Sequence, residues 1–392
     1  MSLQLINHSP DLKRLRDEGY ELEVHGGFLL IHHVPYLNNK VGVKFGILVS
    51  QLTLVNQTTA GKPASHTIYF MGESPCNNDG SLITAIQHSN PNIVIRDGVT
   101  VNHMFSNKPP NGYKDYYDKI STYVKILSAP AQSFDDSVKA QTYKAIAVNA
   151  DESVFQYVDT NTSRAEIQAI NAKLGGQKIA IIGMGGTGAY ILDMLAKTPV
   201  AEIHIYDGDV FLQHNAFRSP GAASMEQLNQ QMMKADYYAG IYSHMHKHVI
   251  AHNYYVNDDN IHELNKMSYV FICIDKGKAR KTITAHLVAK GVTFIDVGLG
   301  VNVVDEHLIG VLRVTTATVE KHDHLLDRLP GAENDDNDYA TNIQIAELNA
   351  MNAVLAVIKW KKFSGFYTDL IGEHHSSYAI TTSKIFNEDI TT

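Results

Sequence analysis

The chain runs to 392 residues, 44% of them hydrophobic and 19% charged, which is length for two or three domains and too apolar a balance for a disordered protein. A formal charge of -8 with no clustered basic stretch argues against nucleic-acid binding. Two cysteines exclude a disulfide framework and a four-cysteine zinc site, and the lack of a signal-like segment or an apolar run of roughly 20 residues points to a cytoplasmic protein that does not engage a membrane.

Residues 1–150 read as a smaller α+β domain. Segments 28–34, 42–49 and 67–70 have strand composition, and a Gly-, Ser- and Asn-rich turn occupies 72–80. Residues 112–128 place Tyr117, Ile120, Tyr123 and Ile126 on one helical face. A polar stretch at 151–162 follows. Ser163 and Glu166 then have capping-box spacing, which predicts a helix through Ile167, Ile170 and Leu174 that stops at Gly175 and Gly176. From Lys178 the order strand, glycine turn, helix, strand repeats, so residues 160–392 form an α/β domain with a mostly parallel, Rossmann-like sheet. A last helix over 342–362 carries Ile345, Leu348, Ala353, Leu355 and Ile358, with Lys359, Lys361 and Lys362 at its C-terminal end, where they suit the helix dipole.

The chemistry starts at 179–188, IAIIGMGGTG. An apolar strand enters Gly183, Gly185, Gly186 and Gly188 and leaves as a helix. Glycines let the backbone approach a phosphate, and the helix start aims bare N–H groups at the anion. The next strand ends in Asp207, placed to accept hydrogen bonds from ribose hydroxyls or to serve as a turn residue. Up to this point NAD and ATP are both open.

Beyond Asp207 come Asp209 and Val210, then Asn215 and Arg218, then Lys234, and later Asp275 at another strand end, followed by Arg280. With that ordered set the chain resembles the ThiF, MoeB and ubiquitin-activating-enzyme superfamily over about 160–362. The resemblance implies ATP-dependent adenylation of the C-terminal carboxylate of a ubiquitin-like or sulfur-carrier-like protein, with release of pyrophosphate. It implies Arg218 and Lys234 on the phosphates, Asp275 on Mg²⁺, Asp207 on the ribose, and Asn215 orienting the phosphates. These types suit the chemistry: a guanidinium fork and a point charge neutralise two anionic reactants, and Mg²⁺ takes hard oxygen ligands. Taken singly, Arg218 and Lys234 read as solvated surface charges and Asp275 as a helix N-cap. The resemblance further implies a homodimer in which Arg164 reaches the partner's ATP, the alternative being an exposed first-turn residue, and a conjugating enzyme as a further partner. Two other functions stay open: an NAD-dependent oxidoreductase, which the glycine turn and Asp207 alone favour, and a non-catalytic nucleotide-binding scaffold.

The pattern departs from the family in lacking two C-x-x-C pairs and a thioester cysteine after the sheet. Tyr339 and Asn342 stand roughly where such a cysteine is sought. Cys273 reads as a buried residue of the strand at 270–274. Cys76, in a turn near His66, is either a thioester or acceptor thiol or an incidental cysteine. His244, His246, His248 and His252 form either a metal site or, by the family pattern, solvated connecting residues. The first 150 residues resemble, through Val34–Tyr36, His66–Cys76 and Phe105–Pro109 with Gly112 and Tyr113, a domain of unknown function found ahead of ThiF-like domains in bacterial operons carrying ubiquitin-like proteins. Its tyrosines and apolar strands make either a docking surface or a core.

Overall fold

The computed structural model describes residues 2–56, 58–145, 153–329 and 343–391. The chain divides into two compact units, Met1–Val148 with Tyr157–Glu166, and Asn149–Gln156 with Ile167–Thr392. Tyr339, Asn342 and residues 151–152 lie outside the described residues. No helix among the described residues is long and apolar enough to cross a membrane.

The first unit is built on helix α1 (Pro10–Asp17), strands β1 (Leu22–His25), β2 (Phe28–Leu37), β3 (Val43–Gln51), β4 (Thr67–Met71), β5 (Gln87–Ser89) and β6 (His103–Ser106), and helix α2 (Tyr116–Phe134). The six strands form an antiparallel sheet in the order β1-β2-β3-β4-β6-β5. β2 is apolar along almost its whole length because both its faces are covered. Leu29 and Ile31 join the core that contains Ile120, while Leu30 packs with Val49, Val99 and Val101 on the other side. The pairing with β3 shifts register between Ile31 and Val34. His33 takes a φ of 55° within that bulge, which lets two polar residues interrupt the run and returns Val34 to the core. Asp115 accepts from the Asp118 N–H and fixes the start of α2 at Tyr116. The buried face is therefore Tyr116, Ile120, Tyr123 and Leu127, while Tyr117 and Ile126 are only half-buried. This rotates the expected face by a fraction of a turn.

In the second unit, β7 (Lys178–Ile182), α3 (Gly186–Leu195), β8 (Glu202–Tyr206), α4 (Lys234–Tyr242), β9 (Val249–His252), β10 (Tyr269–Ile272), α5 (Gly277–Lys290) and β11 (Thr293–Val304) alternate as the sequence pattern requires. The sheet continues through β12 (His307–Ala317), β13 (Glu373–Ala379) and β14 (Lys384–Ile390), with helix α6 (Ala346–Phe363) between β12 and β13. The eight strands lie in the order β9-β8-β7-β10-β11-β12-β13-β14. The first five are parallel and the rest pair antiparallel. One face buries a core with α3, α4 and α6, including Ile181, Ile191, Tyr238 and Trp360, and the other buries Ile182, Ile272, Ile283 and Phe294 with α5. The chain runs outward from β7 to β9 and then returns to place β10 on the other side of β7. That reversal opens a crevice at the C-terminal ends of β7 and β10, where ligands bind in sheets of this kind.

Two helices depart from the sequence reading. Asp159, not Ser163, caps the segment before β7 by accepting from the Thr162 N–H, and its helix spans only Thr160–Arg164. Ser163 is buried inside that helix against Arg16 and Asp17. Glu166 takes a φ of 58°, which breaks the helix there. A short turn at Gln168–Asn171 and a 3₁₀ turn at Ala172–Leu174 follow. In α6 the buried seam is Asn349, Asn352, Ala353, Ala356, Val357, Lys359 and Trp360. Ile358 faces out, because α6 meets α3 and the sheet through small and amide side chains rather than through its large aliphatic ones.

Candidate active site

β7 ends at Ile182, and Gly183 turns the chain with a φ of 91°, a conformation that favours glycine. A Cβ there would lie 2.6 Å from the Cys273 carbonyl oxygen, and one at Gly188 would lie 1.9 Å from that of Gly183, so this turn packs backbone on backbone. Gly185 caps α3, and no described residue lies within 4 Å of where its Cβ would be. The space beside Gly185 is a cavity of about 410 Å³. Gly183, Gly185, Gly186, Asp207, Asp209, Arg218, Lys234 and Asp275 all line it. Eight of the predicted site residues thus share one cavity wall. Gly188 sits behind the turn, and Asn215 and Arg164 are elsewhere.

Three acidic and two basic groups divide the work. Asp207 is buried and accepts from the Met184 N–H at 2.7 Å and the Asp209 N–H at 2.8 Å, so it ties the glycine turn to the end of β8. Burial pushes its carboxyl up, against the pull of Lys234 and of those N–H groups. Lys234, at the start of α4, donates to Asp209 at 2.7 Å and lies 3.8 Å from Asp207. For Asp209, burial is the largest single influence and acts upward, but hydrogen bonds from Lys234 and Tyr255 hold the carboxyl below its ordinary value. Asp275 is exposed at the crevice rim yet walled by protein on most sides. That desolvation raises its pKa, while Arg280, Arg218 and Lys234 pull it down. It accepts from Gln344 at 3.3 Å. Arg280 is not in the lining; it pairs with buried Asp296 at 2.9 Å and donates to the Ile274 carbonyl, bracing the residue before Asp275.

Arg218 is half-buried, and its Nε has no hydrogen-bond partner among the described residues. Asn215, one turn earlier, is buried; its Oδ1 accepts from the Leu212 N–H at 2.9 Å and its carbonyl from the Arg218 N–H at 3.2 Å. It shapes the Arg218 segment and does not line the cavity. Arg164 belongs to the first unit, is exposed, and donates to the Asp17 carbonyl at 2.7 Å.

A model of the ThiF family matches residues 161–358, just over half of the chain. The chain belongs to the ThiF family. Upstream, residues 10–160 match a domain of unknown function, DUF6791. No curated protein matches the chain. Among solved structures, MccB from E. coli with ATP is 18% identical, with a TM-score of 0.43 over 56% of this chain and 65% of that one. The microcin C7 biosynthetic enzyme MccB in complex with N-formylated MccA is also 18% identical, with a TM-score of 0.44 over 56% and 66%. PaaA is 14% identical, with a TM-score of 0.46 over 60% and 84%. The ThiF-family chain described here thus spans 65% of the length of the MccB chain with ATP.

Sequence reasoning missed several groups in this ThiF-family crevice. Thr187, Tyr255, Lys276, Asn349 and Asn352 line it, and Lys276 Nζ stands 4.6 Å from the Tyr255 ring centroid. Two asparagines in the buried seam of α6 were the legible signal, since a buried amide needs partners. Cys273 lies just past β10, half-buried on the cavity wall, rather than in a strand interior. Burial pushes its thiol well up, which leaves it a poor nucleophile. Cys76 is fully buried, donates to the Ser74 carbonyl at 3.3 Å, and burial raises its thiol as well. Of the four histidines, His244 and His248 are exposed, but His246 is a buried core residue. Its Nε2 meets the Val200 carbonyl at 3.0 Å and its Nδ1 accepts from the His248 N–H, a pairing that requires the neutral ring. Among the described residues no group of three or more His, Cys, Asp or Glu could hold a metal ion.

Proposed function

We propose that this ThiF-family chain adenylates a carboxylate with ATP, and that its acceptor is the C-terminus of a ubiquitin-like or sulfur-carrier-like protein. One observation carries the reading: Arg218, Lys234 and Asp275 line a single crevice floored by a glycine turn and a helix N-terminus, and buried Arg218 Nε has no partner among the described residues. A buried guanidinium nitrogen without an acceptor is costly, and a phosphate oxygen supplies the missing bond. The open space at Gly185 and the bare N–H groups of α3 suit the same anion.

The donor set also fits Mg²⁺. Magnesium takes one or two carboxylates together with substrate phosphates and keeps waters, so Asp275 at the rim suffices and no three-ligand protein cage is needed. When bound, the ion offsets phosphate charge. The chain's own residues do the rest. Asp207 fixes the glycine turn, Tyr206 and Val256 give an apolar wall suited to a base, and Arg218 and Lys234 draw charge off the phosphates as the carboxylate attacks the α-phosphorus and pyrophosphate leaves. Lys234 already donates to Asp209, so it is held in place before the nucleotide arrives.

The acyl-adenylate then passes to an outside nucleophile, since Cys76 and Cys273 are both buried or half-buried with raised thiols. Arg164 serves a partner subunit's nucleotide in a homodimer, with a conjugating enzyme as the later acceptor. The N-terminal unit is the docking module. Exchange of labelled pyrophosphate into ATP, stimulated by a glycine-tailed carrier, tests the reaction. Arg164→Ala should abolish that exchange without unfolding the chain, and undiminished exchange would remove Arg164 from the site.

A further inference from the structure

We infer that Asn349, on α6, is a positioning residue that buckles the Arg218 segment to the start of α3 and so sets the guanidinium over the glycine turn. The inference rests on the nucleotide-site reading above. Asn349 is 1% exposed, in a buried seam shared with Asn352, Ala353, Ala356, Val357, Lys359 and Trp360. An amide there costs stability unless both its ends are bonded, and alanine fits such a seam more cheaply. Both ends are used. Its Oδ1 accepts from Thr187 Oγ1 at 2.9 Å, in the first turn of α3, and its Nδ2 donates to the Arg218 carbonyl at a longer 3.4 Å.

The packing is equally specific. A Cβ on Gly186 would fall 2.1 Å from Asn349 Nδ2, so the glycine at 186 makes room for this amide. A third element thereby joins the phosphate-facing helix start to the arginine. Within its own loop the Arg218 backbone is held by the bond to the Asn215 carbonyl, which Ser219 Oγ shares. The Arg218 side chain has no carboxylate partner among the described residues to aim it, and its Nε is unpaired. Its direction therefore comes from the main chain, and the Arg218 carbonyl is where Asn349 acts.

A double-mutant cycle read by calorimetric titration of Mg·ATP into the full-length chain tests this. Asn349→Ala should weaken binding about tenfold when Arg218 is present and less than about twofold when residue 218 is already Arg218→Ala, because the two changes remove one interaction. An equal loss in both backgrounds would make Asn349 a packing residue or a direct contact and would overturn the inference alone. If Arg218→Ala bound Mg·ATP as the native chain does, the nucleotide-site reading and the inference would fall together. Should Asn349→Ala not fold, hydrogen exchange in Asn349→Ser decides. Faster exchange over 215–219 with none gained over 178–182 supports the buckle, and unchanged exchange over 215–219 contradicts it.

Discussion

The two units treat their buried polar groups differently. In the N-terminal unit, Lys119 is buried with no carboxylate partner among the described residues, yet its ammonium donates to Ser50 Oγ and the Ser65 carbonyl, both at 2.9 Å. Tyr116 and Tyr123 reach from the same helix to the Gln51 and His66 carbonyls. Among the described residues of that unit, Ser128 Oγ is the one buried side-chain polar atom without a partner. Among its described residues the ThiF-family unit leaves Asn215 Nδ2, Arg218 Nε and Asn352 Oδ1 unpartnered in or beside its crevice, and Thr316 Oγ1 and the His324 ring nitrogens without a hydrogen bond outside the cavity lining. Unmade bonds are costly, so where they cluster they mark a place that a ligand completes. Where every donor is already used, polar groups serve the fold.

Breaking that contrast at its strongest point gives the largest effect. Arg218→Ala should lower Mg·ATP affinity by about a hundredfold, in keeping with the loss of one preorganised charge donor, and leave the denaturant midpoint unchanged. A shifted midpoint with unchanged affinity would make Arg218 a structural residue. The glycines sharpen the same line. Gly186→Ala forces a methyl onto Asn349 and should cost about 1–3 kcal/mol in urea unfolding. Gly185→Ala meets nothing and should stay within about 0.5 kcal/mol of the native chain while still weakening ATP binding.

The two units should also answer pH at opposite ends. Burial holds neutral His246 down at about 4, against 6.5 for a free ring. The unfolded chain therefore binds the extra proton between those values, and the ThiF-family unit loses stability as pH falls from 6.5 towards 4. Burial holds Lys119 at about 8, against 10.5 when unfolded. The unfolded chain binds the extra proton between those values, so the N-terminal unit gains stability as pH rises from 8 to 10.5. Urea midpoints across pH in His246→Gln and Lys119→Met should each flatten one limb and spare the other. The smallest effect is expected of Cys76→Ser, which should leave pyrophosphate exchange intact and cost at most about 1 kcal/mol. A lost thioester adduct in that variant would instead make Cys76 a functional thiol.

Much of this architecture can be read from residue order. The alternation after Lys178 dictates a parallel sheet, and the Gly183–Gly188 turn, Asp207 and Asp275 are legible because each stands at a strand end or just beyond one, where a doubly wound sheet gathers ligand-facing groups. Arg218 and Lys234, on the long excursion after β8, are legible only through the ordered motif set. Contacts between residues far apart in the chain are not legible. Nothing local links Asn349 to Thr187, Tyr255 to Asp209, or Gln344 to Asp275. Local signals also compete. Ser163 and Glu166 have the right spacing for a capping box, but Asp159 takes the cap and Ser163 is drawn into contact with Arg16 and Asp17. The histidine run looks solvated in sequence, yet His246 is pulled into the core by the Val200 carbonyl.

The central claim is that Arg218, Lys234 and Asp275 hold a triphosphate over the glycine turn. Titrating Mg·ATP, Mg·ADP and AMP into the native chain and into Arg218→Ala, with NAD as the competing ligand, tests it most directly. The account predicts affinity that falls from ATP to ADP to AMP, a difference that collapses in Arg218→Ala, and no comparable binding of NAD. Equal affinity for the three nucleotides, or NAD binding indifferent to Arg218→Ala, would contradict it.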